Sequence, residues 1–89
     1  MKIRNIIFAP KFDKQWKALS REEKKKIRKA MVLFRQNPFH PSLRLHDLSG
    51  KLQSFWSISI DRKNRIIFEM QRDTAIFHSV GSHAIYEKM

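Results

Sequence analysis

An 89-residue chain has room for one domain with one small core. A formal charge of +11 and a pI near 10.6 exclude a surface indifferent to polyanions, because such a potential draws phosphate backbones or an acidic protein. The absence of cysteine excludes a disulfide framework and a thiolate metal site, so apolar packing must hold the fold.

In chain order, Met1 to Phe8 carries two basic residues and a short apolar run without a small-residue cleavage site. Nothing in the chain approaches the run of about eighteen apolar residues that a membrane span needs, and the expectation is a cytoplasmic, soluble protein. Within this segment the isoleucines of Ile3 to Phe8 predict a short strand. Pro10 then stands where a helix can begin, since a proline in the first turn forfeits no hydrogen bond. Phe12, Trp16 and Leu19 fall on one face of that helix. Ser20 followed by Glu23 is a capping box, which starts a new helix instead of prolonging the first. Ile27, Ala30, Met31 and Phe34 form the apolar stripe of this second helix, and Lys24, Lys25, Lys26, Arg28, Lys29 and Arg35 lie mostly outside it. Pro38 disfavours helix at the preceding residue and ends it by Asn37. The pair reads as an αα-hairpin, basic on its outside.

Asn37 to Gly50 shows no period and reads as a loop, long enough to raise the question of function. From Leu52 to Ile60 the pattern alternates. Leu52, Trp56, Ile58 and Ile60 point one way, and Gln53, Phe55, Ser57 and Ser59 the other. Asp61 to Asn64 turns, Arg65 to Gln71 is a strand, Arg72 and Asp73 turn, and Thr74 to Val80 is a strand. The predicted fold is therefore α+β in a single domain spanning residues 1–89. An N-terminal strand, the αα-hairpin and a three-stranded antiparallel meander place the helices on one face of a four-stranded, mixed or antiparallel sheet, leaving the other face open.

The charge is uneven. Met1 to Gln36 holds 12 of the Lys and Arg residues against 3 acids, and Asn37 to Met89 holds 7 against 5, so the helices are the electrostatic half. The chain ends on Gly81-Ser82-His83-Ala84-Ile85-Tyr86, with a histidine and a tyrosine three apart just past a strand. Imidazole moves protons near neutral pH, and on a basic domain that favours RNA chemistry. Metal-free RNA cleavage needs a base for the 2′-hydroxyl proton, a cation for the in-line phosphorane and an acid for the leaving oxygen. His83, Arg65 and His46 offer these types.

Each residue also has a plainer role. Arg65 at a strand start is suited to a surface ion pair with Glu69 or Asp61. His83 is equally a tail residue, Tyr86 a cover for the sheet edge and His46 a loop cap. His40 between prolines reads as structural or solvated, and His78 in an apolar strand as a hydrogen-bonded core or half-buried histidine. The four histidines lack close metal-ligand spacing, so no metal is assigned. The run from Lys24 to Lys29 is either a solvated helix face or a docking surface for ribosomal RNA.

Taken together, His46-Asp47-Leu48-Ser49-Gly50-Lys51-Leu52, Trp56-Ser57-Ile58, Arg65-Ile66-Ile67-Phe68, Val80-Gly81-Ser82-His83 and Tyr86 resemble the RelE/ParE superfamily of type II toxin-antitoxin toxins. Within it, the chain looks most like the RelE/StbE and YafQ-like mRNA interferases. The resemblance covers nearly the whole chain and implies an endoribonuclease that cuts mRNA on the ribosome and is neutralised by a cognate antitoxin. It also implies roles. His83 would be the general acid or base and Arg65 the phosphate ligand. His46 matches a YafQ-like active-site histidine in the pattern His-x-Leu-x-Gly, and Tyr86 the terminal aromatic that stacks on or positions a base. Lys51 would contact phosphate, and Lys24, Lys25, Arg28 and Lys29 the ribosome or RNA. No cofactor is implied. Ser59 and Lys63 stand where the YafQ-like pattern has a histidine and an aspartate. Two other functions stay open: a ParE-like inhibitor of DNA gyrase, and a non-catalytic RNA-binding module.

Overall fold

The computed structural model describes residues 1–48 and 54–82. Both helices start as the sequence requires. Pro10 opens α1 (Pro10–Lys17) behind an extended Ala9. The Glu23 amide donates to the Ser20 hydroxyl at 3.1 Å and the Ser20 amide to the Glu23 carboxylate at 3.0 Å, closing the capping box of α2 (Arg21–Gln36). Extended Asn37, ahead of Pro38, ends that helix.

The sheet has five strands, one more than the pattern predicts: β1 (Asn5–Phe8), β2 (His46–Asp47), β3 (Phe55–Ser59), β4 (Asn64–Gln71) and β5 (Thr74–Ser82). Their order is β1-β5-β4-β3-β2. The meander β3-β4-β5 is antiparallel as expected, and β1 lies parallel to β5, so the sheet is mixed. The fifth strand lies inside the segment expected to be a loop. Two residues are too few to show a period, and β2 owes its existence to pairing with β3, His46 opposite Ser57 and Asp47 opposite Trp56. Just before it, Pro41–Leu43 forms a 3-10 turn capped by His40, whose Nδ1 accepts from the Ser42 amide at 3.2 Å. The structural reading of His40 holds. Leu52 and Gln53, placed by the alternation in the first strand of the meander, lie outside the described residues.

Ile27, Ala30 and Phe34 of α2 and Phe12 of α1 pack onto Ile58, Ile66, Phe68, Ala75, Phe77 and Val80 of the sheet. Phe77 is the hub, with ring centroids 5.7 Å from Phe8, Phe12 and Phe34 and 6.0 Å from Phe68. The opposite face departs from expectation. Ser57, Ser59, Ile67 and Ser79 point away from the helices and are nevertheless buried, so this face is not open along its middle. A bulge opposite Ile67 and Phe68 re-aims β5 there. It brings the half-buried His78 edge-on to Phe55 with centroids 5.0 Å apart, the aromatic contact that holds its ring among the described residues.

Candidate functional site

Strand register turns scattered residues into rows on the face away from the helices. Paired residues of a pleated sheet share a face, so His46, Ser57, Ile67 and Ser79 form one row across β2, β3, β4 and β5. Ser59, Arg65 and Gly81 form the next, about 7 Å along the strands. The two described residues expected to work together, His46 and Arg65, therefore lie in adjacent rows of one face. His46 is exposed on the edge strand.

Arg65 is not held as its plainer role supposed. Its Nη1 donates to the backbone carbonyls of Asp61 at 2.7 Å and Asn64 at 3.1 Å. Among the described residues it makes no ion pair with Glu69 or with the Asp61 carboxylate. Neutral carbonyls fix the guanidinium without cancelling its charge, and among the described residues the other donors of its fork are left for an anion.

Asp61 makes this possible by being occupied elsewhere. Its Oδ1 accepts from the Lys63 and Asn64 amides at 2.8 and 2.7 Å, and its Oδ2 from Lys26 Nζ at 3.3 Å. Burial pushes its carboxyl up, but the hydrogen bonds from the Asn64 and Lys63 amides and from Lys26, with the Lys26 charge, outweigh burial and hold it below the ordinary aspartate value. Asp61 is thus the clasp of the β3–β4 hairpin. Asp61→Ala is expected to cost about 1–2 kcal/mol in urea unfolding at neutral pH. Because the folded value is depressed, this stabilisation is present above the unfolded value near 4 and is lost as pH falls through the folded one. The gap between wild type and variant should therefore close in acid; a gap independent of pH would remove the carboxylate from the explanation.

The clasped hairpin and the 3-10 turn border a cleft of about 450 Å³ lined by Pro41, Ser42, Arg44, Ser59, Asp61, Arg62 and Arg65. Arg44 and Arg62 were not among the residues the sequence singled out. They reach one cleft only because the 3-10 turn packs against β3, a long-range contact with no local signature. A second depression, lined by Lys26, Lys29 and Leu33 of α2, shares Ser42, Ser59 and Asp61 with it. Of the four cations expected on α2, Lys29 alone borders this region. Lys24 Nζ and the Arg28 guanidinium instead stand over the Trp16 ring, 5.8 and 5.3 Å from its centroid, while Lys25 is exposed. His83, Tyr86 and Lys51 lie outside the described residues.

A helix pair on a mixed sheet ending in this meander is the fold of known toxins. YafQ from Escherichia coli BL21(DE3) superposes with a TM-score of 0.78 at 18% identity over 93% of this chain and 97% of its own. YafQ in the E. coli DinJ-YafQ toxin-antitoxin complex gives 0.76 at 19% over 92% and 94%. The YoeB dimer of Staphylococcus aureus gives 0.74 at 18% over 93% and 99%. Among curated proteins, none matches the chain by sequence. The family model for the bacterial toxin of type II toxin-antitoxin systems, YafQ, matches residues 4–87, and the chain belongs to that family.

Proposed function

We propose that this toxin is an endoribonuclease that cuts mRNA on the translating ribosome by metal-independent acid-base catalysis, and so blocks translation in the cytoplasm. The observation that carries this is the Arg65 guanidinium, fixed by two carbonyls and beside no paired carboxylate among the described residues, one row from His46. A cation so placed can stabilise the charge that grows on a phosphorane. His46 and His83 supply the proton carriers: one takes the 2′-hydroxyl proton as that oxygen attacks phosphorus, and the other protonates the departing 5′-oxygen. The bond from phosphorus to the 5′-oxygen breaks, leaving a 2′,3′-cyclic phosphate and a 5′-hydroxyl. Tyr86 stacks on or positions a base, and Lys51 contacts phosphate. Lys25 and Lys29 add RNA or ribosome contacts from α2, and Lys24 and Arg28 do so from the face of Trp16.

A cognate antitoxin is the second partner. The complexes of E. coli YafQ with DinJ and of S. aureus YoeB with YefM support that assignment. An acidic or amphipathic antitoxin segment would compete with RNA for the same positive surface.

Primer extension on a reporter mRNA, with and without translating ribosomes, tests the proposal. Cuts that require ribosomes and stop when antitoxin is added are the expected result. Intact mRNA together with inhibited supercoiling would move the chain to the gyrase inhibitors, and intact mRNA with retained RNA binding would make it a non-catalytic module.

A further inference from the structure

We propose that the cleft between the 3-10 turn and the β3–β4 hairpin seats a second backbone phosphate of the RNA strand, next to the one held by Arg65, with Arg44 and Arg62 as its ligands. The identity of the strand rests on the cleavage function proposed above; the anion site itself rests on the cleft.

Three arginines, with Ser42 and Ser59, line one cavity against a single acidic residue among the described residues. That residue, Asp61, already accepts from two backbone amides and Lys26. Neither Arg44 nor Arg62 is ion-paired among the described residues, so the cleft holds an excess of positive charge that repels itself until an anion enters. Guanidinium forks match phosphate oxygens two at a time, which makes arginine the suited residue for such a site.

Arg44 adds a backbone argument. It caps the 3-10 turn with φ 46 and ψ 53, in the left-handed region that costs a side chain with a Cβ steric strain. Glycine or asparagine would serve the turn better. The turn carries an arginine instead, and that residue lines the cleft. Beyond the cleft, the adjoining depression leads to Lys29, so a strand leaving Arg65 through it meets a further cation on α2. Contacts of this kind fix the register of the strand without reading its sequence.

The test is the affinity of a short single-stranded 2′-O-methyl oligoribonucleotide, which cannot be cut, followed by fluorescence anisotropy from low to moderate salt. Arg44→Gly removes the cation while easing the backbone, so it keeps the fold. Arg62→Ala removes the second cation. Arg72→Gly is the control: Arg72 is also an exposed arginine at positive φ (59°), but it stands in the turn between β4 and β5, at the other end of β4 from Arg65. The Arg44 and Arg62 variants should each bind roughly tenfold more weakly at low salt. Each should also flatten the logarithmic salt slope by about 0.7, the loss of one single-strand phosphate contact, with Arg72→Gly near wild type. If Arg44→Gly and Arg62→Ala behave like Arg72→Gly, the cleft seats no phosphate, even in a chain that cuts mRNA. If the arginine dependence appears in a chain that leaves mRNA intact, the cleft assignment stands and the cleavage function falls. A wild-type chain that does not bind the oligonucleotide overturns the assignment outright.

Discussion

Replacing Arg65 with alanine should lower single-turnover mRNA cleavage by about two to three orders of magnitude, the loss found when a preorganised charge partner of a transition state is removed. The guanidinium is already fixed by the carbonyls of Asp61 and Asn64, so no reorganisation is needed as charge develops on the phosphorane. Arg65→Lys should recover little of the rate. An ammonium is a point charge without the planar fork that satisfies two carbonyls on one side and meets phosphate oxygens on the other. The pH profile separates Arg65 from the proton carriers. His83→Ala should lower the rate by about two to four orders and flatten one limb of the pH profile, whereas Arg65→Ala should lower the whole profile and keep its shape. An Arg65→Ala variant of native melting temperature that still cleaves at the wild-type rate would remove Arg65 from the reaction and place the cation that stabilises the phosphorane elsewhere.

Local physics made much of this fold legible. Pro10, the Ser20/Glu23 box and the residue before Pro38 set the helix ends, because each acts within one turn. The stripe Ile27, Ala30, Met31 and Phe34 and the alternation through Ile58 set the buried faces, because period follows from backbone geometry. What escaped is non-local. The pairing of Ile6 with Ala75 makes β1 parallel to the last strand, and no spacing within either strand specifies it. Likewise, β2 exists only against β3, and the bulge at His78 appears only when β4 and β5 are laid side by side. Ser57 and Ser59 look like an open polar face by alternation, but burial depends on what else approaches the sheet. At the site the same division applies. The motif singled out Arg65 and His46, which the register sets on one face, but not Arg44 and Arg62, since their common cleft joins a 3-10 turn to a hairpin by tertiary packing.

Phe77→Ala should be the most damaging single substitution to stability, at about 3–5 kcal/mol in urea unfolding. Phe77 is fully buried, and its ring meets those of Phe8, Phe12, Phe34 and Phe68, so it joins β1, α1, α2 and β4 at one point. Four neighbours on four elements cannot all collapse into the space it leaves, and the cavity cost adds to the lost transfer energy. A domain of this length has a total stability of roughly 4–13 kcal/mol, so a large part of the margin disappears. Phe39, 60% exposed, provides the contrast: Phe39→Ala should change stability by no more than about 0.5 kcal/mol. The damage should also be uneven. β1 is held by its parallel ladder to β5 and by the packing of Phe8 on Phe12 and Phe77, so its amides should exchange faster in Phe77→Leu, a variant that keeps most of the volume. The β3–β4 hairpin, clasped by Asp61, should stay protected. Equal loss of protection in β1 and in the hairpin would mean that the parallel edge is not a separate, weaker unit and that Phe77 stabilises the sheet as a whole.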